Sequence, residues 1–216
     1  MERYPIVSER AIFGLMIHSA SLFRLFLALL AGVSASPVLA QTGIGDWKSY
    51  LSHTTTVDVA VRGQEVFAAS NVGFFYRDFA TGDSSFFSSL SGLGAREPST
   101  VFYDSSTNYV VLGFKDGTVN YFQQPGTFKA FFDITVSDNF IDKTINCVAG
   151  YQGRIYLGTD FGIVVFDPQT GETLASILQI TLQNSNPTVN TLTVFEDTLY
   201  AGLNNGLFKA PLLGSN

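Results

Sequence analysis

The sequence has little cysteine, little histidine and few basic residues. Its 216 residues include one Cys, two His and 12 Lys or Arg against 18 Asp or Glu, which gives a formal net charge of −6. With one cysteine, Cys147, no disulfide can form within the chain, and its place in an apolar run predicts a small core residue. The acidic balance argues against nucleic acid or an anionic lipid surface as an electrostatic partner.

The chain also lacks the motifs of common enzymes and metal sites. No HExxH, CxxC, EF-hand loop or Walker motif is present, and Gly43-Ile44-Gly45 lacks the third glycine of a dinucleotide fingerprint. The histidine nearest the repeats, His53, lies in a polar stretch typical of the surface. The carboxylates are scattered through predicted turns, at Asp83, Asp104, Asp116, Asp160, Asp167 and Asp197. Their positions predict turn shaping rather than an acid–base pair, so we expect no enzyme, no cofactor and no metal.

Long apolar runs are missing too. The apolar stretch Leu25–Val33 is shorter than the roughly 20 residues that a transmembrane helix needs. It is followed by Ser34–Ala40, which ends in small residues and is typical of a signal peptidase site. We therefore predict a signal peptide over residues 1–40, export to the periplasm or the outer-membrane cell surface, and no membrane span after cleavage. An uncleaved signal anchor is the alternative.

What the sequence does contain is a repeat. Four glycines, Gly73, Gly117, Gly162 and Gly206, follow one another at intervals of 44, 45 and 44 residues. A small residue lies four positions before each of them, at Ala69, Gly113, Gly158 and Gly202. An apolar run, a short polar turn and a second apolar run surround each glycine, which predicts a hairpin with the glycine at positive φ. The hairpins lie near residues 66–76, 109–119, 154–166 and 198–208.

A further apolar run precedes each hairpin, and a looser strand follows the first three. Four strands at a period in the mid-forties predict an all-β propeller over residues 41–216, with about four blades of four antiparallel strands. The fourth unit has no outermost strand, whereas Trp47–Ser52 has the pattern of an outer strand without a blade. We expect an incomplete, open arc of a larger propeller; the alternative is a closed four-bladed ring completed by Trp47–Ser52.

The turns of the middle hairpins would share one face of a propeller, near its channel. They supply the candidate binding residues Asn71, Lys115, Asp116, Asp160, Phe161, Asn204 and Asn205. Simple turn chemistry is the alternative interpretation of each residue. The aromatic pairs Phe74-Phe75, Phe86-Phe87 and Phe131-Phe132 predict packing between blades, because adjacent strand residues face opposite sides of a sheet.

Two resemblances bear on function. The segment Arg154–Asp167 resembles the repeat of two-component-regulator propellers, which occurs in periplasmic sensor regions of hybrid histidine kinases. The segment Gly45–Ser52, followed by the first blade and by Phe161–Asp167, resembles the N-terminal part of the PorZ family of the type IX secretion system in Bacteroidota. This second resemblance runs from about Gln41 to Leu213, and the proteins of that family are larger.

The PorZ resemblance implies a non-enzymatic binding or scaffold module of a cell-surface complex. Its expected partners are proteins of a secretion and sortase complex, in a setting associated with delivery of anionic lipopolysaccharide, with a glycolipid or glycan as a further ligand. The alternative is a periplasmic ligand-sensing propeller of a hybrid two-component regulator. A propeller lyase or hydrolase is the third interpretation, and no acid–base pair in the sequence supports it.

Overall fold

The computed structural model describes residues 55–180 and 187–212. These residues fall in one compact unit, Trp47–Asn216. The predicted signal peptide over 1–40, His53 and the stretch Trp47–Ser52 lie outside the described residues. What was inferred for those three therefore stays a prediction.

The described chain forms four antiparallel sheets in chain order, which we call blades 1 to 4. Blade 1 contains β1 (Thr56–Arg62), β2 (Glu65–Ser70), β3 (Gly73–Asp78) and β4 (Ser84–Phe87). Blade 2 contains β5 (Pro98–Asp104), β6 (Tyr109–Phe114), β7 (Val119–Phe122) and β8 (Lys129–Phe131). Blade 3 contains β9 (Ile145–Tyr151), β10 (Arg154–Thr159), β11 (Gly162–Asp167) and β12 (Glu172–Ile177). Blade 4 contains β13 (Val189–Phe195), β14 (Thr198–Leu203) and β15 (Gly206–Pro211). A short 3₁₀ helix, Ser89–Ser91, follows β4.

Each blade is a meander in which every strand pairs with the next. The first strand of each blade contacts the first strand of the following blade, which makes β1, β5, β9 and β13 the inner strands. This arrangement confirms the predicted all-β propeller arc of about four blades.

The hydrophobic core lies between the blades. In β6, Val110 and Leu112 pack into the cluster shared with blade 1, whereas Val111 packs into the cluster shared with blade 3. All six residues of β6 are buried, because consecutive side chains point to opposite faces and both faces are covered. A third cluster joins Tyr156 and Ile163 of blade 3 to the side chains of blade 4.

Every inner strand carries a β-bulge at the same place. The register shifts between Thr56 and Asp58 in β1, and at the equivalent point in β5, β9 and β13. The residue after each bulge pairs with the small residue of the sequence repeat: Asp58 with Ala69, Thr100 with Gly113, Cys147 with Gly158, and Thr191 with Gly202.

This pairing explains why a small residue recurs there. A Cβ on Gly113 would lie 2.5 Å from Cγ2 of Ile145, the first residue of the next blade's inner strand. A Cβ on Gly158 would lie 2.9 Å from Cγ1 of Val189, in the same position one blade later. The small residue is therefore needed for the close approach of successive inner strands.

The repeated glycine was expected at positive φ in all four hairpins. Gly117, Gly162 and Gly206 have φ values of 86°, 136° and 143°. Gly73 does not, so the prediction is wrong at that position. A Cβ on Gly73 would overlap the carbonyl oxygen of Phe87 in β4, so this glycine is required by the approach of the outer strand rather than by its own φ.

The expectation that both rings of the Phe131-Phe132 pair pack between blades is wrong for Phe132. Strand β8 ends at Phe131 because the chain turns immediately afterwards. Phe132 therefore lies outside the strand and is 45% exposed, whereas Phe131 is buried in the cluster between blades 2 and 3.

Candidate functional site

The candidate residues lie in the turns between the second and third strands of the four blades. Asn71, Lys115, Asp160 and Asn204 each come directly after the residue that pairs with the first residue of the inner strand. They are therefore structurally equivalent. We call the surface formed by these four turns, together with the residues that contact them at the start of each inner strand, the turn face.

Backbone hydrogen bonds hold the turns against the inner strands in a repeated way. The N–H of Asn71 donates to the carbonyl of Thr55 with an N···O distance of 3.2 Å. In blade 3, the N–H of Asp160 donates to the carbonyl of Thr144, also at 3.2 Å. In blade 2, the N–H of Lys115 donates to the carbonyl of Glu97, the residue before β5, with an N···O distance of 3.1 Å. The first turn residue thus has the same backbone position in three blades.

Threonine hydroxyls join the turn of one blade to the next blade. The hydroxyl of Thr144 in blade 3 donates to the carbonyl of Lys115 in blade 2, with an O···O distance of 3.4 Å. The hydroxyl of Thr188 donates to the carbonyl of Asp160 at the same distance. The turns of blades 2 and 3 are therefore each held to the following blade, which a binding surface that spans several blades requires.

Asparagine side chains from the bulges orient two of the turns. Nδ2 of Asn146 donates to Oδ1 of Asp160 at 2.9 Å. One blade later, Nδ2 of Asn190 donates to Oδ1 of Asn204 at 2.7 Å. Asn146 and Asp160 are half-buried, whereas Asn190 and Asn204 are exposed. In blades 3 and 4, an asparagine of the inner strand thus orients the first residue of the turn in its own blade.

The blade 2 turn differs in chemistry. Nζ of Lys115 lies 2.9 Å from Oε2 of Glu97, and both side chains are mostly exposed. The side chain of Asp116 accepts the N–H of Thr118 at 2.9 Å, which shapes a turn that is longer than in the other blades because Gly117 and Thr118 also belong to it. The positive charge of this turn is thus partly balanced by a neighbouring carboxylate.

The remaining candidates divide by burial. Asn71 and Asn205 are exposed at the tips of their turns. Phe161 is only 3% exposed and stacks on Phe140, with ring centroids 3.8 Å apart and planes inclined by 8°. The ring of Phe161 therefore belongs to the core beneath the turn face and does not contribute a surface for a ligand.

Sequence analysis missed the partners that position the turns, namely Glu97, Thr144, Asn146, Thr188 and Asn190. A usable pattern existed for the two asparagines, because each lies 14 residues before its partner, Asp160 or Asn204. In an alignment of the four repeats, Asn146 and Asn190 share one column, and Asp160 and Asn204 share another.

The side chains described at the turn face offer hydrogen-bond donors and acceptors. Within residues 55–180 and 187–212, no group of three His, Cys, Asp or Glu side chains is placed to hold a metal ion. Cys147 lies in β9 against the core between blades 3 and 4, and burial raises the pKa of its thiol to about 12. A thiol with that pKa is protonated at neutral pH and is a poor nucleophile.

The sequence matches the model of one known protein family. The model of the TSS9, PorZ, N-terminal beta-propeller domain matches residues 66–216. The chain belongs to this PorZ family. The matched residues include the middle hairpins of all four blades, except Glu65 at the start of β2. TSS9 denotes the type IX secretion system, of which PorZ is a component.

Solved structures agree on the fold. PorZ of Porphyromonas gingivalis, described as an essential bacterial surface component of the type IX secretion system, superposes with a TM-score of 0.67 at 21% identity. The alignment covers 77% of this chain but 22% of the PorZ chain, so the chain spans about a fifth of that relative's length.

Other solved structures match as well. The extracellular domain of a putative hybrid two-component system from B. thetaiotaomicron has a TM-score of 0.62 at 15% identity, over 79% of this chain and 22% of that one. The computationally designed Ika4 protein has a TM-score of 0.56 at 22% identity, over 76% of this chain and 96% of that one. No curated protein sequence matches the chain. In the described ranges, no helix combines the length and the hydropathy that crossing a membrane requires.

Proposed function

We propose that this PorZ-family propeller is a non-enzymatic binding module of a type IX secretion assembly at the cell surface, and that its turn face binds a protein partner. The observation that carries the proposal is the family match over residues 66–216 combined with a pre-positioned row of polar turns. The module would be exported, in keeping with the surface location of PorZ and the extracellular location of the two-component neighbour.

The chemistry of the turn face favours a protein over an anionic ligand. Among the described candidate residues of the turns, Lys115 carries the one positive charge, and Glu97 lies beside it. Asp116 and Asp160 add negative charge, and the whole chain has a net charge of −6. An anionic glycolipid would meet few cations there, whereas backbone amides and basic side chains of a protein would find acceptors.

The wider assembly is part of the same proposal. The resemblance to the PorZ family implies an assembly that supplies anionic lipopolysaccharide to a sortase. We assign the lipopolysaccharide contact to other parts of that assembly and the protein contact to the turn face. Sensing of a small ligand such as a glycan by a two-component regulator is the second candidate, and the fold shared with the B. thetaiotaomicron extracellular domain favours it.

The test is a binding measurement with a triple variant of the turn face. Asn71→Ala, Lys115→Ala and Asn205→Ala together remove three exposed side chains from three turns. The matched control is Gln64→Ala, Gln124→Ala and Gln169→Ala, which lie in turns at the opposite ends of the strands and are also exposed. Purified protein would be tested by biolayer interferometry against the purified sortase-complex proteins of the same bacterium.

We expect the turn-face variant to weaken binding at least about tenfold, which corresponds to about 1.4 kcal/mol, and the control variant to bind like the wild type. Equal loss in both variants, or none in either, would contradict the assignment of the turn face. Purified anionic lipopolysaccharide and a neutral glycan array complete the experiment. Binding of either one that depends on Asn71, Lys115 and Asn205 would replace the protein partner with that ligand.

A further inference from the structure

The connection between blades 2 and 3, residues 132–144, is anchored by two inward side chains. Ile134 is 4% exposed and belongs to the core cluster of these blades, and a Cβ on Gly117 would lie 2.6 Å from its Cγ2. Phe140 packs against the same cluster and stacks on Phe161. Gly117 and Phe161 belong to the turns of blades 2 and 3, so the connection borders the turn face.

Hydrogen bonds give the connection a fixed local shape. The N–H of Val136 donates to the carbonyl of Phe132 at 3.0 Å, and Nζ of Lys143 donates to the carbonyl of Thr135 at 2.7 Å. The hydroxyls of Thr135 and Thr118 lie 3.2 Å apart, which joins the connection to the turn of blade 2. A surface that is ordered in advance loses less conformational entropy when a partner binds.

Three apolar side chains of the same connection are exposed. The exposed fractions of Phe132, Val136 and Ile141 are 45%, 72% and 99%. Phe132 and Val136 are the two ends of one hydrogen-bonded turn, and the contact between Lys143 and Thr135 closes a loop that contains Val136 and Ile141. A single apolar residue on a surface is ordinary, whereas several on one ordered segment are typical of an association site.

The charged residues of the connection are mostly acidic. Asp133, Asp138 and Asp142 are exposed, and two of them directly follow an exposed apolar residue in the sequence. The segment contains one basic residue, Lys143, whose ammonium group donates to the carbonyl of Thr135. The exposed apolar side chains therefore lie on a segment with a net negative charge.

We propose that the 132–144 connection is a docking surface for a segment of a partner protein that carries both apolar and basic side chains. Apolar side chains of the partner cover the three exposed apolar residues, and its Lys or Arg side chains pair with the three carboxylates. This inference rests on the proposed function, because it gives the chemistry of a protein partner that binds at the turn face.

Charge distinguishes this partner from other surfaces that cover apolar side chains. An anionic lipid bilayer would meet three carboxylates at the contact, and like charges repel. A second copy of this chain would bring the same carboxylates to a symmetric contact, on a chain with a net charge of −6. A basic and apolar segment gains from electrostatic attraction during the encounter and from burial of apolar area in the complex.

The experiment measures binding of the full chain to three synthetic peptides of equal length by biolayer interferometry. One peptide contains Lys and Leu, the second Lys and Ser, and the third Glu and Leu, so charge and apolar character vary separately. We expect the peptide of Lys and Leu to bind at least about tenfold more tightly than either of the others. Its binding should weaken as the salt concentration is raised, because salt screens exposed charges.

Two pairs of substitutions test the two kinds of contact. Val136→Ser with Ile141→Ser removes two exposed apolar side chains and should weaken binding of the peptide of Lys and Leu at least about tenfold. Asp138→Asn with Asp142→Asn removes two charges and should weaken the same binding at least about threefold. The asparagine pair should also reduce the dependence of binding on salt, whereas the serine pair should leave that dependence unchanged.

Matched controls lie at the ends of the strands opposite the turn face. Phe79→Ser with Phe195→Ser replaces apolar residues that are 62% and 61% exposed. Glu172→Gln with Glu196→Gln removes two exposed charges at the same end of the strands. Both control pairs should bind the peptide of Lys and Leu like the wild type.

The outcomes separate this inference from the proposed function. If the sortase-complex proteins bind through Asn71, Lys115 and Asn205 but the serine pair changes no binding, the proposed function stands and the docking surface is overturned. If those proteins do not bind while the peptides behave as expected, the docking surface stands and the proposed function fails. Equal binding of the peptide of Glu and Leu would overturn the basic partner. Binding to phosphatidylglycerol vesicles alone, lost in the serine pair, would replace the protein segment with a lipid surface.

Discussion

The carboxylate of Asp58 in blade 1 accepts a hydrogen bond from the hydroxyl of Thr100 in blade 2, with 2.8 Å between Oδ2 and Oγ1. The same oxygen accepts the backbone N–H of Val101 at 2.9 Å. Because both partners belong to the inner strand of the next blade, one side chain links two blades at the bulge. A hydrogen bond with a charged partner contributes about 1.5–3 kcal/mol to stability.

Replacing Asp58 with alanine should therefore destabilise the junction between blades 1 and 2. We expect Asp58→Ala to lower the free energy of unfolding by about 1–3 kcal/mol, because it leaves the Val101 N–H without its acceptor. Asp58→Asn keeps a carbonyl oxygen in place and should lose less. Urea denaturation followed by fluorescence measures both, and equal stability of the alanine variant and the wild type would contradict this role.

The small residue of each repeat gives a second prediction. Gly158→Ala would place a methyl group against the Sγ of Cys147 and 2.9 Å from Cγ1 of Val189. Overpacking of this kind costs about 1–3 kcal/mol, so the denaturation midpoint should fall.

A double variant tests whether steric overlap is the reason. Cys147→Ala removes the sulfur that the new methyl group would meet. The cost of Gly158→Ala should therefore be smaller in the Cys147→Ala background than in the wild type, by a measurable coupling energy. Strict additivity of the two substitutions would show that Gly158 is needed for another reason.

The blades themselves could be predicted from the sequence because the repeat and the alternation of apolar residues are both local patterns. Gly117 and Gly162 fix turns through their own φ values, so their role is visible along the chain. The reason for Gly73 could not be predicted in this way, because a Cβ there would overlap the carbonyl oxygen of Phe87, fourteen residues away on another strand. Local propensity carries no information about such an approach.

The candidate site could be predicted in part for the same reason. Hairpin turns have a characteristic composition, so the sequence predicts that Asn71, Lys115 and Asn205 lie in turns. All three side chains are exposed there. The burial of Phe161 depends on its stacking with Phe140, which lies in the connection between blades 2 and 3. The orientation of Asp160 depends on a bulge, which two-residue periodicity does not predict.

The ion pair between Arg62 and Glu65 gives a pH-dependent prediction. Nε of Arg62 lies 2.5 Å from Oε2 of Glu65, and this hydrogen bond holds the pKa of the Glu65 carboxyl below its usual value. A lowered folded-state pKa stabilises the fold above the unfolded pKa of about 4.5, and the contribution is lost as pH falls through the folded-state value. Arg62 also donates to the carbonyl of Gln123 in blade 2, at 2.7 Å.

We therefore expect Glu65→Gln to destabilise the protein at neutral pH and to converge with the wild type as the solution is acidified from about pH 5. Thermal unfolding at a series of pH values measures the difference. Glu97→Gln is the matched control, because its partner Lys115 is exposed and a surface pair contributes little. A constant difference between Glu65→Gln and the wild type across the acid range would contradict the linkage.

Phe161 and Asn205 are both second residues of their turns, but the structure gives them opposite roles. Phe161→Ala would remove a ring that is 3% exposed and stacked on Phe140, so we expect a loss of about 3–5 kcal/mol of stability. Asn205→Ala changes an exposed tip and should alter stability by less than about 0.5 kcal/mol. Denaturation curves for the two variants separate a core position from a surface position on the same face. Similar stability of the two proteins would mean that the ring of Phe161 is not held in the core and belongs with the binding residues after all.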